Sequence, residues 1–159
     1  MTLNLPEIDQ AAPQFTALNQ KEEQVSLKDL AGKKVVLYFY PKAMTPGCTN
    51  QACGIRDSKK EYDELNTVVL GVSPDAPARL QKFIDRDNLN FDLLSDEDLT
   101  LANAYGVWGL KKFMGREYDG IHRITFIIDE QGILRHIMKK VKTKSHHDDV
   151  LEIIRSMES

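Results

Sequence analysis

The chain has 159 residues, 42% hydrophobic and 28% charged, enough for one globular domain over residues 1–159 whose core needs no staple. Its formal net charge of −3 comes from interspersed acidic and basic residues, which leaves no basic field for nucleic acid or anionic lipid. No stretch approaches the ~18 apolar residues of a membrane span, and "MTLNLPEIDQ" lacks a basic-then-apolar leader pattern, so the expected location is cytoplasmic.

In chain order, a short hairpin is expected near Gln14 to Leu27. "KKVVLYFY" (Lys33 to Tyr40) follows as a near-continuous apolar run, the pattern of a strand covered on both faces. Thr49 to Leu65 is rich in helix formers. "TVVLGVS" (Thr67 to Ser73) is a second buried strand, and "SPDAP" then offers Ser73 as a cap and an early Pro for a helix over Ala76 to Asp87. "SDED" from Ser95 carries the Ser-x-x-acid signature of another helix start. "RITFIID" (Arg123 to Asp129) is a third strand. Asp129 to Gly132 supply turn residues for a hairpin within "IIDEQGILRHIM", and "SHHD" from Ser145 opens a final helix to about Ser156. The order β-α-β-α, then β-α-β-β-α, predicts an α/β sandwich with a mixed sheet and helices on both faces.

Both cysteines lie in "PKAMTPGCTNQACG" (Pro41 to Gly54), five positions apart. In a reducing compartment they rest as thiols, so any bond between them is transient and chemical. Cys48 falls in the first turn of a helix that follows the carboxyl end of a central strand. Unpaired N–H groups and the partial positive charge there stabilise a thiolate, which makes Cys48 the candidate nucleophile. If Cys53 shares that helix, the two Cα atoms stand roughly 8.6 Å apart on different faces. A disulfide tolerates at most about 7 Å, so the first turns must unwind to form one. Gly54 lowers the cost of unwinding, because Gly inside a helix is disfavoured by ~1 kcal/mol relative to Ala. Two thiols without a chemical role, one buried and one exposed, remain the alternative at this point.

Other candidates have plainer readings. Trp108 in "GVWG" is a core or pocket-wall aromatic. His146 and His147 are neighbours, ~100° apart on a helix, and are read as a solvated helix start rather than a metal pair. "KKVKTKSHH" from Lys139 is an exposed strand end and loop, since two aspartates follow at once. A zinc site would need two further ligands at suitable spacing, and no such motif stands near the cysteines. Arg123, on its own, reads as a surface ion-pair residue.

"PKAMTPGC" fits Pro, three residues, Thr, two residues, Cys, and so resembles the active-site loop of peroxiredoxins. The following "TNQACG" is similar to the PrxQ branch, the bacterioferritin comigratory proteins. "LLSDED", "YGVWG", "FMG", "YDGIHRI" and "HHD" extend the resemblance over most of the chain in family order. It implies a thioredoxin-like fold and a thiol-dependent peroxidase, monomeric and without cofactor or metal. It also implies the site: Cys48 as peroxidatic cysteine, Cys53 as resolving cysteine, Thr45 as the hydroxyl touching thiolate and peroxide, Pro41 as shield, and Arg123 as active-site arginine. Thioredoxin or a similar dithiol is the implied reductant, and hydrogen peroxide and organic hydroperoxides are the implied substrates. A disulfide oxidoreductase or redox-sensing module and a metal-stabilised domain are the other function classes. "TPGC" stands against the first of these, because Thr45 occupies the first cysteine position of a Cys-x-x-Cys loop.

Ionisation alone does not make such a thiol fast. A thiol of ordinary pKa, about 8.5, is ~3% thiolate at pH 7, and near-complete ionisation gains roughly thirty-fold. The weaker nucleophile gives back about ten-fold of that if a slope of ~0.45 applies to peroxide. The remainder is expected from donors aimed at the oxygen–oxygen bond: Arg123, the Thr45 hydroxyl, and the N–H groups around Gly47 and Cys48.

Overall fold

The computed structural model describes residues 3–157. Among them the elements run β1 (Thr16–Asn19), β2 (Gln24–Ser26), a 3-10 turn (Leu27–Leu30), β3 (Lys34–Phe39), α1 (Pro46–Asp57), α2 (Lys59–Glu64), β4 (Thr67–Ser73), α3 (Pro77–Asp87) and β5 (Leu93–Ser95). They continue with α4 (Thr100–Ala104), β6 (Trp108–Phe113), β7 (Arg116–Ile121), β8 (Thr125–Ile128), β9 (Leu134–Met138) and α5 (His146–Met157). Seven strands form one mixed sheet in the order β2-β1-β5-β4-β3-β8-β9. β3 runs parallel to β4 and antiparallel to β8, and β4 runs parallel to β5.

The central position of β3 follows from its composition. Every one of its residues is buried, and its apolar run satisfies the demand for cover on both faces. Because side chains alternate across a strand, Val35, Leu37 and Phe39 join one core with Tyr105 and Phe126. Val36, Tyr38 and Tyr40 join the other, beneath Ala52 and Ile55 of α1, Leu80 and Phe83 of α3, and Val150 and Ile154 of α5. Thus α1, α3 and α5 cover one face, and α4 contributes Leu101 and Ala102 to the other. Each fully buried aliphatic or Phe side chain contributes roughly 1.5–3 kcal/mol. The sheet therefore fixes where β3 ends and α1 begins, which is where the cysteine loop lies. The mixed sheet, the opening hairpin β1–β2 and the closing hairpin β8–β9 all agree with the sequence reading.

Several local expectations change. The helix expected over Thr49 to Leu65 is two helices, broken at Ser58, whose φ of −102° and ψ of 9° leave the helical region. Serine tolerates this because it bonds equally well outside a helix. Ser73 does not cap α3; it ends β4, and its hydroxyl donates to Asp75 (2.7 Å) while Ala76 takes the cap position ahead of Pro77. Ser95 likewise ends β5. The start of α4 is instead served by Asp96, whose carboxylate accepts from the N–H groups of Leu101 (2.9 Å) and Ala102 (2.8 Å). The β6–β7 hairpin was not anticipated. Its second strand, β7, is polar and largely exposed, and its turn rests on Met114 and Gly115, both at positive φ (52° and 79°), the geometry of a two-residue type I′ turn. No helix among the described residues is long and apolar enough to cross a membrane.

Candidate active site

Pro41 follows β3 after one residue, Tyr40, and the loop it opens is clamped from the side of α3. Asp75 accepts from the Ala43 N–H (2.7 Å) and pairs with Arg79 (3.2 Å), which donates to the Ala43 carbonyl (2.9 Å). Arg86 donates to the Thr49 hydroxyl (2.8 Å) and to the Met44 carbonyl (3.5 Å). Met44 itself holds a positive φ of 68°, so the loop is bent into a conformation that side chains rarely adopt and is held there by these contacts. None of the three holding residues, Asp75, Arg79 and Arg86, carries a sequence signal; they are ordinary charged positions made relevant by topology.

Thr45 takes the cap position of α1, with Pro46 as first helical residue, and its carbonyl accepts the first helical hydrogen bond, from Thr49 (2.8 Å). Its hydroxyl does not cap the helix but donates to the Lys42 carbonyl (2.9 Å). Cys48 is the third residue of α1, 1% exposed, in the turn whose N–H groups have no helical acceptor.

Arg123 arrives from the link between β7 and β8. Its Nη1 lies 3.4 Å from Cys48 Sγ and also donates to Gln51 Oε1. Gly47 lies against the guanidinium: a Cβ there would sit in ordinary van der Waals contact, 3.5 Å from Arg123 Nη2. The structure thus brings Cys48, Arg123, Gly47 and Thr45 to one helix end.

Cys53 stands on the same unbroken helix, partly buried, and both cysteines are free thiols. Helical geometry keeps the pair about 8.6 Å apart at Cα, beyond disulfide reach. Burial pushes the Cys53 thiol up, reinforced by Asp87 and Asp57 and opposed by Arg56, so Cys53 rests protonated. Next to it, Gly54 has a second use that composition hides: any side chain there would overlap the His147 ring of α5. Gly54 is therefore both a weak point of α1 and its docking point.

His146 overturns the expectation of a solvated helix start. It is fully buried, with Nδ1 3.2 Å from Gln51 Nε2 and Nε2 2.8 Å from the Thr125 hydroxyl. The packing of α5 onto α1 and the sheet buries the first residue of the helix, which local sequence could not reveal. Burial pushes its pKa down to about 4, with Asp149 opposing and His147 and Arg123 reinforcing. The unfolded chain gains this proton near pH 6.5. Between those values the unfolded state binds more protons, so stability is complete above about pH 6.5 and falls by up to about 3 kcal/mol as pH drops to about 4. Urea midpoints taken at about pH 7 and about pH 4.5 are expected to show this loss, and His146→Phe to remove that part of the slope; an unchanged slope contradicts the assignment.

Gln51 and Lys111 were also missed. Lys111, on β6, donates to the Ile121 carbonyl (2.8 Å), and burial together with Arg123 pushes its ammonium down while Cys48 opposes, so it shares the field of the thiol. Trp108 packs at the edge of one core as expected. Among the described residues no group of three or more His, Cys, Asp or Glu could hold a metal ion.

A family model described as AhpC/TSA family matches residues 8–137. The chain is 57% identical to the putative peroxiredoxin bcp of Haemophilus influenzae, covering 98% of this chain and 100% of that protein. It is 51% identical to peroxiredoxin Bcp of Escherichia coli K12, over 91% of this chain and 92% of that one. The solved bacterioferritin comigratory protein of Xanthomonas campestris superposes with a TM-score of 0.88 at 29% identity, covering 99% of this chain and 100% of the other. With a thioredoxin-like sheet carrying a buried thiol and an arginine at one helix end, the chain belongs to the AhpC/TSA family, as a peroxiredoxin of the Bcp/PrxQ branch.

Proposed function

We propose that Cys48 reduces hydrogen peroxide and organic hydroperoxides, that Cys53 resolves the product, and that thioredoxin or a similar dithiol regenerates the enzyme. The observation that carries this reading is Arg123 Nη1 at 3.4 Å from a buried Sγ in the first turn of α1. The X. campestris relative is described with alkyl peroxide reduction activity, which supports the organic substrates.

The thiolate sulfur attacks the terminal peroxide oxygen. The oxygen–oxygen bond breaks, its electron pair leaves with the distal oxygen, and that oxygen takes a proton to become water or an alcohol. Cys48 is left as a sulfenic acid, oxidised by two electrons. Arg123 stabilises the charge that moves onto the leaving oxygen. Thr45 has one proton, already given to Lys42, so its lone pairs can accept the hydrogen of an incoming hydroperoxide. Pro41 screens the pocket.

Resolution follows when α1 unwinds far enough for the Cys53 sulfur to attack the Cys48 sulfur. The S–S bond forms and water leaves. An external dithiol then reduces the disulfide by exchange, becoming oxidised in turn. The enzyme acts as a cytoplasmic monomer in antioxidant defence.

Treating the reduced protein with one equivalent of hydroperoxide and digesting it without added thiol is expected to yield an intramolecular Cys48–Cys53 cross-linked product by mass spectrometry. Recovery of both cysteines as alkylatable thiols after peroxide is consumed contradicts the reading.

A further inference from the structure

A continuous set of buried hydrogen bonds leads away from Cys48. Arg123 Nη1 faces both Cys48 Sγ and Gln51 Oε1; Gln51 Nε2 lies 3.2 Å from His146 Nδ1; His146 Nε2 lies 2.8 Å from Thr125 Oγ1. Gln51 and His146 are 0% exposed and Thr125 is 1% exposed, so water does not replace a lost partner along this path.

The donor and acceptor rules leave one arrangement. A guanidinium only donates, so the amide end facing Arg123 is the oxygen of Gln51. The other end is then an NH₂ that only donates, and it faces His146 Nδ1. That nitrogen must be bare, which puts the His146 proton on Nε2 and directs it to Thr125. Suppose instead that Nδ1 carried a proton. Two donors would meet, the Gln51 amide would turn over, and its NH₂ would then face the guanidinium. Arg123 would lose the acceptor that holds it beside Cys48. Burial of the ring keeps it neutral, and its packing against Tyr38, with ring centroids 5.5 Å apart, fixes the ring in place.

We propose that His146 is a positioning residue of the peroxide step: neutral and protonated on Nε2, it locks the Gln51 amide so that Gln51 holds Arg123 against Cys48. His146 touches neither the thiol nor the guanidinium and acts only through Gln51. The inference rests on the reading of Cys48 and Arg123 given above, and its failure is separable from that reading.

Nitrogen-resolved NMR of the reduced, unmodified protein is expected to show His146 neutral with hydrogen on Nε2 at neutral pH. Hydrogen on Nδ1, or a doubly protonated ring, overturns the proposal whether or not any variant folds. In single-turnover oxidation of Cys48 by hydrogen peroxide, His146→Phe is expected to slow the reaction roughly 10-fold, the scale of a slightly displaced catalytic group. His146→Asn, which keeps an acceptor toward Gln51, is expected to recover most of the rate. In a Gln51→Met background the His146→Phe cost is expected to vanish, because the intermediary is gone. An equal cost in both backgrounds, or no rescue by Asn, makes His146 merely structural and overturns the proposal. If peroxide reduction survives Cys48→Ser, the underlying reading fails instead.

Discussion

Cys48→Ser is expected to abolish hydroperoxide-dependent NADPH oxidation in the presence of thioredoxin and thioredoxin reductase, to the level of the reaction without enzyme. The reason lies in the position of the two thiols. Cys48 has the helix end and Arg123 around its sulfur, whereas the Cys53 environment favours the protonated thiol. A serine hydroxyl, with no accessible anion and no ability to hold the sulfenic state, cannot substitute. Cys53→Ser should separate the two half-reactions. It retains one rapid equivalent of peroxide reduction, then stalls without an added small thiol, and its Cys48 advances more readily to the sulfinic acid. NADPH oxidation that persists unchanged in Cys48→Ser would place the chemistry elsewhere.

Arg123→Ala is expected to lower the rate constant for Cys48 oxidation by about 10²–10³, the cost of removing one donor aimed at developing charge. The guanidinium lies close to the sulfur and is held by Gln51. Its effect as a mere neighbouring charge would be limited to the thiolate fraction, which can change the rate only about 3-fold once nucleophilicity is counted. Measuring the thiolate fraction by ultraviolet absorbance alongside the rate separates the two. A loss of rate no larger than the loss of thiolate would reduce Arg123 to an electrostatic neighbour. Arg123→Lys should recover only part of the rate, because a compact ammonium cannot face both the sulfur and Gln51 as the planar fork does.

The sequence made the architecture legible where periodicity was strong. The near-continuous apolar run Lys33 to Tyr40 suits a doubly covered strand, and Lys34–Phe39 within it form β3, inside the sheet between β4 and β8. Cys48 and Arg123 were legible through motif, and the structure brings them together from positions 75 residues apart. The remainder depended on partners that local reading does not contain. His146 sits in a polar, helix-opening stretch that looks solvated, yet Gln51 and Thr125 enclose it from other elements. Gly54 carried a propensity argument but not its contact with His147. Ser73 and Ser95 have the residue type of a cap, but parallel pairing of β4 with β5 keeps both in strands. Asp75, Arg79 and Arg86 bind the loop only because α3 packs beside it.

The central claim is mechanical. In the reduced enzyme α1 is continuous from Pro46 to Asp57, clasped by Arg86 at Thr49 and docked on His147 at Gly54, while a Cys48–Cys53 bond is incompatible with that helix. Amide hydrogen exchange resolved along residues 46–57, compared between the reduced protein and the form oxidised by one equivalent of peroxide, tests it directly. The expected result is loss of protection over the segment from Cys48 to Gly54 together with formation of the disulfide. A Cys48–Cys53 disulfide formed with protection in that segment unchanged would contradict the account.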